Sequence, residues 1–388
     1  MEKTYEEITT YLTAHQEEMT SLLQQIVNIE SGPEQPAGVD KIIEIFKEEF
    51  ENLGLTTRVI ECENAGNIIV ADYIPEKVEN QAPIVLSGHM DTVFQEGVLK
   101  EHAFRKKDEK LAQGAGIADM KGGLVIAIYA LKALIHFDYQ KHPIKMLFIG
   151  DEETLHRYSN TREVMLEELT DAAMMLNFEP AMEPEHLTVS RKGGGMVALE
   201  VDGVGAHSGS GASEGRSAIA EIAYKITELE EKTEIERGKL INCGLVEGGV
   251  SANTIPSKAK ANFSIRFPNQ AIKEEILNDF EKAVSQATIP DTTAHYEVEG
   301  LLDAMEFTPE VDQLADHFIK TGSVCGYGDL IKNESEGASD ASLGVVAGVP
   351  TLCSMGVIGQ GAHTTEEQAD LTSLLSKAIL TTAGIYTF

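Results

Sequence analysis

The stretch Pro83-Ile84-Val85-Leu86-Ser87-Gly88-His89-Met90-Asp91 is an apolar run that stops at a histidine and an acid. Two further runs end the same way: Ile144 to Ile149 leads to Gly150-Asp151-Glu152-Glu153, and Ala172 to Phe178 leads to Glu179-Pro180. Short apolar stretches bounded by Gly and Pro suit strands buried on both faces, as in a parallel sheet. Open α/β sheets collect their ligands at the carboxyl ends of such strands. Three endings rich in imidazole and carboxylate therefore predict an α/β fold with its chemistry at one end of the sheet.

Working outward, residues 4–29 carry Ile8, Leu12, Met19, Leu22, Leu23, Ile26 and Val27 at mostly helical intervals before the breaker Ser31-Gly32-Pro33, which predicts one opening amphipathic helix. Strands near 57–61 and 67–73 and a helix from Gly122 to Phe137 continue the α/β alternation around a mixed or parallel sheet flanked by helices. After Glu179 the pattern changes to strand 195–202, helix 214–232, strands 240–247 and 258–267, helix 271–287 and strand 293–299. That β-α-β-β-α-β order is ferredoxin-like. The predicted architecture is an α/β domain with a mostly parallel sheet, formed by 1–184 and 300–388 and interrupted by an α+β domain over 185–299. There is no internal repeat or low-complexity tract.

The 388 residues exceed one ordinary core, and 63 acidic against 31 basic residues give a formal charge of −32. Such a surface repels phosphate backbones, so nucleic acid is not an expected partner. No apolar stretch is long enough to span a bilayer, and the opening Met1-Glu2-Lys3-Thr4-Tyr5-Glu6 has no apolar signal core, so the expectation is a cytoplasmic protein with no membrane partner. Cys62, Cys243, Cys325 and Cys353 have no paired spacing, which fits free thiols and leaves oxygen and nitrogen as the ligands of any metal.

Residues two apart on a strand face the same way, so His89 and Asp91 can stand side by side, the carboxylate fixing the imidazole tautomer; alone, the pair reads equally as a surface or core contact. Gly114-Ala115-Gly116-Ile117-Ala118-Asp119-Met120-Lys121-Gly122-Gly123 is a glycine-dense loop opening onto an apolar helix. A phosphate-type loop or a plain turn is one reading, disfavoured by the lack of a Gly-Lys-Ser/Thr ending and of a dinucleotide spacing; the other is a tightly held Asp119 between two cations. Asp151-Glu152-Glu153 clusters three carboxylates, either as a solvated acidic turn or around a cation. In the second case one acid ligates while its neighbour takes a proton from water. With Glu179 and His363 the ligand types suit zinc, cobalt or manganese.

Taken together these segments resemble the two-zinc amidohydrolases and exopeptidases that include glutamate-releasing carboxypeptidase, succinyl-diaminopimelate desuccinylase, acetylornithine deacetylase, aminoacylase and tripeptidase. The resemblance continues through Arg191-Lys192-Gly193, Ala206-His207-Ser208-Gly209, Gly215-Arg216-Ser217-Ala218-Ile219, Gly248-Gly249-Val250-Ser251-Ala252-Asn253-Thr254-Ile255-Pro256 and Ala362-His363-Thr364, in order and over nearly the whole chain. It implies two divalent ions, zinc first and cobalt or manganese as alternatives. His89 and Glu179 would hold one, Glu153 and His363 the other, with Asp119 bridging. Asp91 would back His89, and Glu152 would be the general base. A cis peptide at Asp119-Met120 is also implied.

The inserted domain looks like that family's lid and dimerisation domain. His207 would reach the developing oxyanion across a homodimer, Asn253 and Arg266 would hold the substrate carboxylate, and the loop Gly337-Ala338-Ser339-Asp340 would line the pocket. The implied activity is release of a C-terminal amino acid, glutamate foremost, from a peptide or N-acyl conjugate. The alternatives are an N-acyl-amino-acid deacylase and a non-catalytic binding protein on the same fold. One departure stands out: many relatives continue the paired glutamates with a Gly-Ser turn, whereas this chain has Thr154-Leu155-His156-Arg157.

Overall fold

The computed structural model describes residues 2–78 and 80–388, apart from the side chains of Glu2 and Lys3; Met1 of the opening segment lies outside the described residues. The chain forms two compact units. The first comprises the residues up to Ser190, with Phe307–Ser335 and Ser339–Phe388, and the second comprises Arg191–Glu306 with Glu336–Ala338. The domain limits expected at 184/185 and 299/300 fall a few residues before these.

The first unit is built on a six-stranded mixed sheet in the spatial order Thr56–Ile60, Gly66–Tyr73, Ile144–Gly150, Ile84–His89, Met174–Asn177, Thr351–Leu352. The last four strands run parallel, and the first two add an antiparallel hairpin at one edge. Register decides where the chemistry falls. His89 lies opposite Ile149, and Ser87 lies opposite Asn177. Asp91, Asp151 to Glu153 and Glu179 therefore all leave the sheet at the same end and nearly the same level.

Helices cover both faces. Phe46 and Phe50, from helix Pro36–Asn52, meet Phe148 on one face, where the mostly apolar helix Gly122–His136 also packs. Val85, Leu147, Ile149 and Met175 point to the other face and cluster with Met165 and Leu343 from helices Thr161–Glu168 and Ala341–Val346. Helix Pro36–Asn52 was not anticipated, although Pro36 at its first turn and six buried apolar or glycine positions account for it.

The opening helix is two helices, Glu2–Ala14 and Gln16–Val27, rather than one. The His15 ring explains the break: its Nδ1 donates to the Tyr11 carbonyl at 2.7 Å, taking the acceptor that its own N–H would use in a continuous helix, and that N–H turns to Leu12 instead. Among the described residues no helix is long and apolar enough to cross a membrane.

The second unit has a four-stranded antiparallel sheet in the order Leu240–Gly248, Lys258–Phe267, Gly193–Asp202, Thr293–Leu302, with helices Ala218–Glu230 and Gln270–Ser285 on one face. This is the ferredoxin-like order. Its own core gathers Val197, Leu199, Ile222, Phe263, Ile276 and Phe280. The first helix starts at Ala218, not 214, because Ser217 caps it: the Ser217 hydroxyl accepts the Ala220 N–H at 3.2 Å.

Candidate metal centre

Five side chains converge at the sheet's carboxyl end in two groups that share Asp119: His89, Asp119 and Glu179, and Asp119, Glu153 and His363. Asp119 Oδ1 lies 3.2 Å from His89 Nε2, and Oδ2 lies 3.2 Å from His363 Nε2. His89 Nε2 is 3.7 Å from Glu179, and His363 Nε2 is 3.2 Å from Glu153. The two oxygens of one carboxylate thus face two separate donor sets.

A separate small sheet sets this geometry. Strand Leu111–Gln113, which leads into the glycine loop, pairs with Gln368–Asp370, and that strand pairs back with Gly359–Gln360. Asp119 and His363 therefore sit on connections of the same four-stranded antiparallel sheet, which the sequence did not announce. Glu367 ties the connections together. Its carboxylate accepts the N–H groups of Gly116 and Ala118 at 2.8 Å each and of Asp119 at 3.0 Å. Burial pushes Glu367 up to about 7, while those N–H donors pull the other way. No spacing rule marked this residue: it follows another acid in a polar run and resembles a solvated pair.

The peptide Asp119–Met120 is cis. Beyond it the helix Gly122–His136 begins close to the strand end that carries Glu179. A Cβ on Gly123 would lie 2.0 Å from the Phe178 carbonyl oxygen, so only glycine permits this approach.

Asp91 does two things. His89 Nδ1 lies 3.1 Å from the Asp91 backbone carbonyl and 3.3 Å from Oδ1 of its carboxylate; a carbonyl only accepts, so Nδ1 carries a proton and Nε2 is the nitrogen turned to the cluster, able to bind a cation once its own proton has left. The same Asp91 carboxylate accepts the N–H groups of Glu152 at 3.2 Å and Glu153 at 2.9 Å. The backbone of Asp91 therefore orients the His89 ring while its buried carboxylate holds the acidic turn.

The charge distribution fits cations. Burial raises Glu152 well above the usual carboxylate range, and Glu179, Asp340 and Glu153 add to this against His89. Burial, with Asp119 beside it, pushes Glu153 up to about 7. Asp119 is held below its ordinary value: burial opposes this, but hydrogen bonds from His363 and His89 prevail. Hydrogen bonds to Asp119 and Glu153 raise His363 to about 11. Buried carboxylates crowded to this degree need positive charge, and two imidazoles with three carboxylates are a donor set for borderline divalent ions.

The remaining expected site residues lie in the second unit. His207, exposed on a two-residue strand paired with Thr254–Ile255, accepts the N–H groups of Gly209 at 3.1 Å and Ser210 at 3.2 Å on Nδ1, which leaves the proton on Nε2. Asn253 is its neighbour, its carbonyl accepting the Ser208 N–H at 2.9 Å. Arg266 is exposed on strand Lys258–Phe267 and lies over Gly194, where a Cβ would come within 2.2 Å of its Nη1. The Gly337 carbonyl accepts from Arg191 Nη1 at 3.0 Å.

Comparison with known proteins agrees with this geometry. The profile of Peptidase family M20/M25/M40 matches residues 85–385. Carboxypeptidase G2 of Pseudomonas sp. (strain RS-16) is 26% identical over 371 residues, covering 93% of this chain and 87% of that protein. Acetylornithine deacetylase of Vibrio parahaemolyticus is 29% identical over 250 residues, 60% of this chain and 63% of that protein. Among solved structures, the M20 family metallo-carboxypeptidase Sso-CP2 from Sulfolobus solfataricus shares the fold with a TM-score of 0.73 at 17% identity, over 95% of this chain and 98% of that one. The chain belongs to Peptidase family M20/M25/M40, and with it to the metal-dependent hydrolases.

Proposed function

We propose that this hydrolase releases a C-terminal amino acid, glutamate foremost, from peptides or N-acyl conjugates. The observation that carries the reading is Asp119, whose two oxygens each lie 3.2 Å from the imidazole of a different donor set. His89 and Glu179 would hold one cation, Glu153 and His363 the other, and Asp119 both; zinc suits this set best, with cobalt or manganese as alternatives. A pair of such ions, when bound, supplies Lewis-acid polarisation of the scissile carbonyl and acidifies water near neutral pH. Glu152, buried beside the cluster without belonging to either donor set, would accept the proton from water and pass it to the leaving amine. Asp91 would keep His89 and the Glu152 turn aligned.

In the second unit, Arg266 and Asn253 would hold the substrate carboxylate, the guanidinium by a two-pronged contact. Gly337 would line the pocket through its backbone. The Nε2–H of His207 would be given to the oxyanion across a homodimer. An open sheet edge supports such a dimer: among the described residues strand Leu240–Gly248 is unpaired on one side, and Leu245 and Val246 on it are 67% and 61% exposed. A cytoplasmic location completes the reading, supported by the unpaired cysteine spacing.

The test is an assay of metal-reconstituted protein over peptides and N-acyl amino acids with varied C-terminal residues. Release of C-terminal glutamate from peptide or pteroyl conjugates is expected. Turnover of N-succinyl or N-acetyl amino acids alone would favour a deacylase, and full metal loading without any turnover would favour a binding protein. For the shared site, a His207→Ala chain mixed with a Glu152→Ala chain should regain partial activity. No recovery despite proven subunit exchange would rule sharing out.

A further inference from the structure

The turn after the paired glutamates, where this chain carries Thr154-Leu155-His156-Arg157, has an unusual backbone. Leu155 and His156 both adopt left-handed conformations, with φ of 56° and 55°. Side chains with a Cβ disfavour this region, and two such residues in succession need an outside restraint to persist. Main-chain bonds close the turn, from Leu155 N to the Glu152 carbonyl at 2.7 Å and from His156 N to the Asp151 carbonyl at 3.3 Å. They do not anchor it to anything beyond itself.

The His156 ring supplies that anchor. It is buried, with Nδ1 3.1 Å from Asp151 Oδ1 and Nε2 2.7 Å from Asp340 Oδ1. Asp151 ends the stretch leaving strand Ile144–Gly150, one residue before Glu152, and its other oxygen accepts the Ser159 hydroxyl. Asp340 immediately precedes helix Ala341–Val346 and is itself buried. Its Oδ2 has no hydrogen-bond partner among the described residues, while its Oδ1 takes the His156 ring. Burial alone would lower the imidazole, but Asp340 and Asp151 raise it well above its ordinary value. Asp340 is also one of the charges that push Glu152 upward, so a countercharge on Asp340 bears on the acid next door. A serine or glycine at position 156 could not span two carboxylates held by separate elements.

We propose that His156 is a positioning residue: by bridging Asp151 to Asp340 it fixes the turn that carries Glu152 and Glu153. This deepens the hydrolase reading and rests on Glu152 being the base. It also assigns Asp340, in the loop Gly337-Ala338-Ser339-Asp340, an anchoring role instead of a substrate contact.

The test compares His156→Gln, Asp340→Asn and the double variant with wild type, all as full-length protein reconstituted with zinc. Three quantities are read: bound metal per chain, kcat and KM on one substrate, and amide hydrogen exchange across residues 151–159. The bridge predicts kcat about 10- to 100-fold lower in His156→Gln, with KM within about twofold and two metals retained. Exchange across 151–159 should quicken while strand Ile144–Gly150 stays protected. Asp340→Asn should move the same quantities in the same direction, which keeps the test sound if His156→Gln folds poorly. The double variant should recover part of the kcat lost in His156→Gln, because it no longer leaves Asp340 as an uncompensated buried charge. Unchanged exchange with kcat near wild type would overturn the proposal, and so would a loss confined to KM. Should wild type release no amino acid, the functional reading fails on its own, and the exchange measurement, which needs no substrate, still decides whether His156 holds the turn.

Discussion

The Asp91 carboxylate accepts the Glu152 backbone N–H, yet substitution of the two residues should have different signatures. Glu152 belongs to neither donor set, so Glu152→Gln is expected to keep both metals and lose turnover by about 10²- to 10⁴-fold. The Asp91 carboxylate lies 3.3 Å from His89 Nδ1 and accepts two N–H groups from the acidic turn, so Asp91→Ala is expected to weaken metal binding about 10- to 100-fold as well as lowering kcat. Metal titration by calorimetry beside steady-state kinetics separates the two. Equal loss of metal in both variants would undo the division of labour. At this scale much was readable in advance, because His89, Asp151 to Glu153 and Glu179 each close an apolar run. Asp119 was readable from its glycine-dense loop as one of two options and His363 by ligand type, but their approach to each other was not, since it depends on a small sheet of two- and three-residue strands too short to leave a period.

The element that most depends on one side chain is the glycine loop before helix Gly122–His136. Three of its N–H groups converge on the Glu367 carboxylate, and a glutamine there offers one acceptor oxygen and turns its NH₂ toward a donor. Glu367→Gln is expected to destabilise the protein by about 1–3 kcal/mol and to lower affinity for the cations that Asp119 faces. Urea unfolding and metal titration check this, and an unchanged midpoint with unchanged affinity would show the loop to be held otherwise. Glu367 escaped the sequence reading for a physical reason: backbone donors from residues about 250 positions away are invisible to any local pattern. The split of the opening helix at His15 was hidden differently, because the apolar spacing runs through it unbroken and a side-chain bond to Tyr11 makes the break.

Across the whole molecule, the mostly parallel sheet and the inserted α+β unit follow from strand spacing and apolar runs, whereas the spatial order of the strands and the buried charge do not. Lys377 is fully buried, donates to the Ser354 carbonyl at 3.1 Å and is lowered by burial to about 8. Between that value and the unfolded 10.5 the unfolded chain holds a proton that the folded chain has lost, so stability rises with pH across this window. Below it both states are charged and the burial penalty, on the order of 3 kcal/mol, is fully present. Lys377→Met is therefore expected to stabilise the protein near pH 7, with the gain shrinking from about pH 8 to 10.5. Thermal unfolding at several pH values measures it, and a pH-independent difference would contradict the assignment.

The second unit enters the chain at Arg191 and leaves just after Met305, and these two residues exchange both backbone hydrogen bonds at 3.0 Å. Its beginning and end are thus clasped side by side, like the two legs of a staple, above a hydrophobic interior made wholly from its own residues. A gene segment encoding 191–306 should for that reason yield a cooperatively melting protein by itself, and the excised position should be closable by a linker of only a few residues. Such a cassette can be exchanged between relatives without rethreading the sheet that carries the metal ligands.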